Sequence, residues 1–153
     1  VDMRVPTYAH ASAYYATMGY AVPAALGAGI ADPNRRPVVV VGDGAFAMTG
    51  LEVAACAFHH VNAIFVVLDN SGYGTQRPIL DGPFNDIPSL AVENLPSLIK
   101  TGLGWKVTTE SELDQALSTA VASDHVSVVR VMLSKHARSP ALSRLGAALA
   151  SKA

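Results

Sequence analysis

Cysteine is nearly absent: Cys56 is the only one in 153 residues, so no disulfide can form within the chain. Charge is scarce as well. Charged residues make up 15% of the chain and the formal net charge is −1, which leaves no basic footprint for nucleic acid. No apolar run reaches membrane-spanning length, and no signal-peptide pattern is visible, so the expected setting is cytoplasmic. Repeats and low-complexity segments are missing too. What remains is a chain that is half apolar, long enough for one well-packed domain over residues 1–153. So little charge also predicts an apolar surface that another component covers. The first residue is Val1 and not Met, which points to a processed piece or a part of something longer.

The apolar residues are ordered. Val38-Val39-Val40-Val41 reads as a strand buried on both faces. It stops at Gly42-Asp43-Gly44-Ala45, where small residues let backbone N–H groups approach a ligand. Thr49-Gly50-Leu51-Glu52 has the Thr-x-x-Glu pattern of a capping box and predicts a helix from about Leu51 to His59. Leu51, Ala54, Ala55 and Phe58 form its apolar stripe. Ala63 to Leu68 reads as a second buried strand. Strand, helix and strand at this spacing are one βαβ unit, so the two strands should run parallel. The unit ends in Asp69-Asn70-Ser71-Gly72-Tyr73-Gly74, which places that turn at the same carboxyl edge as Gly42–Ala45. Ligands of open α/β sheets bind at that edge. Asp43 is the informative residue. A bare carboxylate beside a phosphate is repulsive, and the pairing makes sense when a cation sits between them.

The rest of the chain continues the pattern. An Ala- and Gly-rich helix is expected from Gly19 to Ala31, with Pro23 near its start and Asp32-Pro33-Asn34 after it. Residues 76–96 read as a long loop, broken by Pro78, Pro83, Pro88 and Pro96. A short helix near Leu95–Thr101 and a strand near Trp105–Thr108 follow. Thr109 and Glu112 form a second capping box, ahead of a stripe of Leu113, Ala116, Leu117, Ala120 and Val121. Val126–Leu133 reads as a strand, and Leu142, Leu145 and Leu149 give the tail 137–153 one helical face to dock. The expected fold class is α/β, a parallel sheet with helices on both faces.

Gly42-Asp43-Gly44, followed after a βαβ-sized interval by Asp69-Asn70, resembles the GDG…NN signature of thiamine diphosphate-dependent enzymes, in their diphosphate-binding domain. The resemblance covers roughly residues 7–135. The stretches Gly42-Asp-Gly-Ala-Phe-Ala-Met-Thr-Gly and Asn70-Ser-Gly-Tyr-Gly-Thr-Gln-Arg-Pro are similar to the non-oxidative 2-oxo acid decarboxylase branch, with indolepyruvate and phenylpyruvate decarboxylase-like members nearest. The resemblance implies the thiamine diphosphate-binding fold and two cofactors, thiamine diphosphate and Mg²⁺. It implies three Mg²⁺ ligands: an Asp43 carboxylate oxygen, the Asn70 amide oxygen and the Gly72 carbonyl. Backbone N–H groups of Gly44 and Ala45 would hold the diphosphate, with Gly42, Tyr73, Gly74 and Thr75 around it. The Ala16 carbonyl would accept from the aminopyrimidine, and Met18 would prop the cofactor in its bent shape. A 2-oxo acid would be the substrate.

Three consequences of the resemblance stay open. Asp69 stands where the signature has its first Asn and is read as capping the turn. Gln76 stands where such decarboxylases place a proton-transferring glutamate, and an amide cannot exchange a proton near neutral pH. A carboligase or lyase of the same superfamily, acetolactate synthase-like, therefore remains an alternative, as does a catalytically incomplete fragment. The activating glutamate belongs to a separate pyrimidine-binding domain, which is missing here and usually comes from a second subunit, so a homo-oligomer is expected.

Other readings compete for the same residues. Gly42-x-Gly44-x-x-Ala47 also satisfies a loose dinucleotide fingerprint, with Asp69 near the position of a ribose-binding acid. Asp43 in the phosphate loop argues against an NAD site. Gly27-x-Gly29 lies inside a helical pattern and is a decoy. His59-His60 lies at a helix end away from the site edge. His10, His125 and His136 show no ligand spacing, and Trp105 reads as core.

Overall fold

The computed structural model describes residues 8–150. Val1 and the last residues of the expected tail, 151–153, lie outside the described residues. Four strands form one all-parallel sheet: β1 (Val38–Gly42), β2 (Ile64–Asp69), β3 (Leu103–Val107) and β4 (Ser127–Met132), in the order β1-β2-β4-β3. Six α-helices are described: α1 (Ala21–Ala31), α2 (Asp43–Thr49), α3 (Val53–Phe58), α4 (Leu95–Leu98), α5 (Glu110–Ala122) and α6 (Pro140–Ala150). The sheet carries helices on both faces, as expected.

β2 and β4 are the central strands, and their apolar runs are buried on both sides. Phe65, Val67 and Val128 face one core, together with Val22 and Ala25 of α1, Phe46 of α2, and Val53 and Cys56 of α3. The rings of Phe46 and Phe65 meet edge to face at 6.3 Å. Ile64, Val66, Val129 and Val131 face the other way, under Leu113, Ala116, Leu117 and Ala120 of α5. Each such side chain contributes about 1.5–3 kcal/mol by leaving water. The Thr109–Glu112 box forms in full: Thr109 Oγ1 accepts from Glu112 N–H at 3.2 Å and the Glu112 carboxylate accepts from Thr109 N–H at 3.2 Å.

Three expectations fail, for physical reasons. β1 is an edge strand buried on one face only: Val39 and Val41 are in the core, while Val38 and Val40 stay 62% and 64% exposed. α5 packs on β2, β3 and β4 and leaves Val38 and Val40 exposed. The second failure is Thr49. Helix α2 begins earlier, at Asp43, with Gly42 as its N-cap, and Thr49 makes no cap. Its hydroxyl instead donates to the Gly19 carbonyl at 2.8 Å and ties the entry of α1 to the end of α2. A 3₁₀ turn, Gly50–Glu52, then shifts the helical phase so that Val53 and Cys56 face the core. The expected stripe points outward, with Leu51 71% and Phe58 77% exposed.

The tail does fold as α6, but only part of it docks. Gly146 presses on Pro78, where a Cβ would collide with the proline ring, while Leu145 and Leu149 remain exposed.

Candidate functional site at the carboxyl edge of the sheet

Parallel strands put every carboxyl end on one edge, and the register fixes which residues meet there. Gly42 ends β1 opposite Leu68, and Asp69 ends β2 opposite Met132. The two turns expected to share this edge do share it. Gly72 N–H donates to Asp43 Oδ2 at 2.9 Å across 29 residues of sequence, and Gly44 N–H donates to Asp43 Oδ1 at 2.9 Å. Burial pushes the Asp43 carboxyl above the usual carboxylate range, against the pull of these two N–H groups; the nearby Asp69 carboxylate pushes it further up. A divalent cation at this point would reverse that balance.

The second turn is tightly specified. Ser71 takes φ 61° and Gly72 φ 150°, two successive residues in the left-handed half of the map. Close approach fixes its glycines: a Cβ on Gly72 would strike the Asn85 carbonyl, and one on Gly74 would strike Asn70 Nδ2. Gly44 is fixed in the same way, since a Cβ there would come within 2.6 Å of the Tyr73 ring. Tyr73 N–H donates to the Asn85 carbonyl at 2.9 Å, so the loop at 83–86 braces the turn from outside.

Two arginines that the sequence reading passed over hold this edge from below. Arg77 is buried, pairs with Asp81 at 3.0 Å and Asp86 at 2.6 Å, and donates to the carbonyls of Ser71 and Asn85. Arg130, on β4, pairs with Asp69 at 2.6 Å and Glu93 at 3.2 Å and donates to Ser89 Oγ at 2.7 Å. Asp69 also caps the turn as expected, its Oδ1 accepting from Ser71 N–H at 3.0 Å. One signal could have found Arg130: a lone charge in the strand run Val128-Val129-Arg130-Val131 must be paired to be buried.

The other expected site residues are placed as follows. Asn70, Tyr73 and Gly74 are half-buried, and Thr75 and Gln76 are exposed on the helical turn that follows. Ala45 lies in the first turn of α2. Ala16 adopts φ 50°, an uncommon left-handed conformation for a residue with a side chain, and Met18 is 41% exposed. Buried Gly19 packs against Thr49 and Met48, which anchors the 16–19 segment to the far end of α2. His59-His60 follows α3 at the opposite edge, as expected.

The site is shallow. The crevice that touches Asp43 and Asp69 holds about 10 Å³. A larger groove, about 600 Å³, lies elsewhere, between α1 and β1, where Ala24, Ala28, Val38 and Val40 are among the residues that line it. Arrangement and not size decides which of them is the candidate: the groove is lined by alanine and valine together with Tyr8, Tyr20, Asp32, Arg35 and Arg36, whereas the edge brings the Asp43 carboxylate and the Asn70 amide together on two interlocked glycine turns. No cluster of three or more His, Cys, Asp or Glu suited to a metal occurs among the described residues, so a cation here would depend on amide and carbonyl oxygens as well.

An all-parallel α/β sheet with a glycine-bound carboxylate at its carboxyl edge defines a cofactor-binding class of domain. The profile of the thiamine pyrophosphate enzyme C-terminal TPP-binding domain matches residues 1–131. The chain belongs to that family. It is similar to the alpha-keto-acid decarboxylase of Mycobacterium tuberculosis H37Rv, 36% identical over 124 residues that cover 78% of this chain and 22% of the relative. With the alpha-keto-acid decarboxylase of Mycobacterium ulcerans it is 33% identical over 136 residues, 86% of this chain and 24% of the relative. Among solved structures it resembles the Rhodococcus jostii thiamine diphosphate-dependent 4-hydroxybenzoylformate decarboxylase, with a TM-score of 0.69 and 25% identity over 76% of this chain and 23% of that one. Polynucleobacter necessarius benzoylformate decarboxylase gives a TM-score of 0.71 at 25% identity, over 80% of this chain and 25% of that one. The chain thus spans about a quarter of the length of these relatives.

Proposed function

We propose that this chain holds thiamine diphosphate through Mg²⁺, as the C-terminal cofactor domain of a 2-oxo acid decarboxylase-like lyase. The observation that carries the reading is the 2.9 Å hydrogen bond from Gly72 N–H to Asp43 Oδ2, which joins the two halves of the signature. The donor set suits Mg²⁺, which takes hard oxygens and shares its shell with phosphate and water. Asp43 would give a carboxylate oxygen, Asn70 its amide oxygen and Gly72 its carbonyl. The N–H groups of Gly44 and Ala45 would bind diphosphate oxygens, Gly44 by exchanging its bond to Asp43 Oδ1 for one to the ligand, with Gly42, Tyr73, Gly74 and Thr75 shaping the cradle. Ala16, strained at φ 50°, would present its carbonyl to the aminopyrimidine, with Met18 beneath the bend of the cofactor. When bound, the cofactor supplies the electron sink for the pair freed as a 2-oxo acid loses carbon dioxide.

Gln76 sets the limit of this chain's own contribution. Its amide can donate to and accept from a substrate carboxylate, but it cannot carry a proton. The proton must then come from water or from the pyrimidine-binding domain, which we place on another part of the enzyme, in a second subunit of a homo-oligomer. Exposed Leu51, Phe58 and Met18 support a covered surface of that kind. The same glutamine favours the second reading, a carboligase of the acetolactate synthase type. No helix among the described residues is long and apolar enough to cross a membrane.

The test is turnover of aliphatic and aromatic 2-oxo acids by the enzyme complete with its pyrimidine-binding domain, as found and with Gln76→Glu. Slow release of carbon dioxide that rises about 100-fold with glutamate supports the decarboxylase reading. Carbon–carbon bond formation between two substrates, unimproved by glutamate, supports the carboligase instead. No product of either kind with any 2-oxo acid contradicts both.

A further inference from the structure

We propose that Arg130 is a positioning residue for the metal-binding turn: through Asp69 it locks Asn70 and Gly72 in place and cancels the second negative charge that Asp69 brings to the Asp43 site. The inference rests on the Mg²⁺ reading above and concerns residues which that reading leaves unused.

Ser71 and Gly72 both lie at positive φ, and such a turn persists only when its surroundings over-determine it. Asp69 Oδ1 fixes the turn from within by accepting from Ser71 N–H at 3.0 Å. An asparagine could make that same bond, so the turn alone does not call for a carboxylate. Charge does the rest. Asp69 is 3% exposed and Arg130 4% exposed, and a buried charge persists only when paired. Arg130 Nη2 and Nε reach Asp69 Oδ2 at 2.6 and 2.7 Å. Its other contacts, Glu93 at 3.2 Å and Ser89 Oγ at 2.7 Å, come from the second half of the long loop. Strand β4 carries Arg130 beside Val67, two residues before Asp69 on its neighbour β2. One guanidinium therefore joins the rigid sheet, the 89–93 segment and the first residue of the turn. Without it, two carboxylates, Asp43 and Asp69, would share the edge uncompensated. The turn would then be drawn toward whatever cation arrives there, and would no longer be set before binding.

The test compares the whole chain with Arg130→Met and with Asp69→Asn/Arg130→Met, which returns the Asp69–Arg130–Glu93 cluster to its original net charge and keeps the Ser71 acceptor. Amide hydrogen exchange of the apo chain is read first. Ser71, Gly72 and Tyr73 should exchange at least tenfold faster in the single variant, while Phe65 and Val66 change little, and the double variant should return to within threefold of the original. Equal acceleration across β2, or no rescue, overturns the proposal and leaves a merely structural ion pair. The Mg²⁺ concentration that half-saturates thiamine diphosphate binding is read second: it should rise about tenfold in Arg130→Met and recover in the double variant. An unchanged Mg²⁺ requirement also overturns the proposal. Where Arg130→Met does not fold, Arg130→Lys serves, since it keeps the charge but loses the fork that spans Asp69 and Glu93. It should loosen the same three amides without touching β2. If the original chain shows the exchange pattern yet never binds thiamine diphosphate with Mg²⁺, the brace stands and the cofactor reading fails.

Discussion

The carboxyl edge of the sheet and the flank formed by β1, α1 and the outer side of α3 are built on opposite terms. At the edge, the N–H groups of Gly44 and Gly72 are bonded to Asp43, glycines are fixed by collisions that a Cβ would cause, and two buried arginines pair with four acids. On the flank, Val38, Val40, Leu51 and Phe58 face outward, and a groove of about 600 Å³ runs past Ala24 and Ala28. The difference teaches where the chain is finished. On the proposed function, the edge is half of a binding site set in advance by polar contacts, and the apolar flank is the face for other protein to cover. A site that must accept a charged cofactor needs fixed dipoles before binding. A docking face needs only shape and exposed area.

The comparison can be broken most directly at Arg130. Arg130→Met strands Asp69 and Glu93 and should cost about 3–5 kcal/mol in urea unfolding, the usual loss when one partner of a buried pair is removed. A loss under about 1 kcal/mol would mean that the edge is not held by buried charge. Next is Gly72→Ala, which sets a methyl group against the Asn85 carbonyl at φ 150° and should cost about 1–3 kcal/mol. Asp43→Asn should cost the apo fold only about 1 kcal/mol, since an amide oxygen can still accept from Gly72 N–H. It should nevertheless remove Mg²⁺-dependent ligand binding. On the flank, Leu51→Ser and Phe58→Ser should change the stability of the isolated chain by no more than about 0.5 kcal/mol, yet reduce self-association seen by analytical ultracentrifugation. A large loss of stability there would place these residues in the core after all.

Acid should separate the regions too. Burial pushes the Asp81 carboxyl up, but hydrogen bonds from Arg77, Asn85 and Gly82 outweigh it and hold the group below its ordinary value. Hydrogen bonds from Lys135 and Arg77 hold Asp86 low as well. Both folded values lie below the unfolded ones, so their contribution is present above about pH 4 and is lost as the pH falls through the lowered folded values. Titration into that range should loosen the amides of 71–74, read by hydrogen exchange, before those of Val66 and Val128. The reverse order would contradict the Arg77 brace.

The sheet was legible because apolar runs of valine and isoleucine at βαβ spacing leave few alternatives. Both turns of the candidate site could be placed for the same reason, since parallel strands must end on one edge. Burial was less legible. Val38–Val41 reads like a central strand, and only the strand order makes it an edge. Thr49 and Glu52 have the letters of a capping box, but the competing acceptor, the Gly19 carbonyl, is 30 residues away in sequence. The Leu51–Phe58 stripe failed because a 3₁₀ turn changed the phase that a regular helix assumes. Arg77 was missed because its partners lie in a loop whose path no periodicity encodes, and Arg130 because its pairing with Asp69 depends on the β2–β4 register.

The central claim is that this edge binds thiamine diphosphate through a metal held by Asp43 and the Asn70–Gly72 turn. Thermal unfolding of the chain with thiamine diphosphate, with Mg²⁺, with both and with NAD tests it most directly. A ligand that binds only the folded chain raises the melting temperature by mass action. The account predicts a rise that requires thiamine diphosphate and Mg²⁺ together and disappears in Asp43→Ala. A rise with NAD alone, or one with thiamine diphosphate that persists in EDTA and in Asp43→Ala, would contradict it.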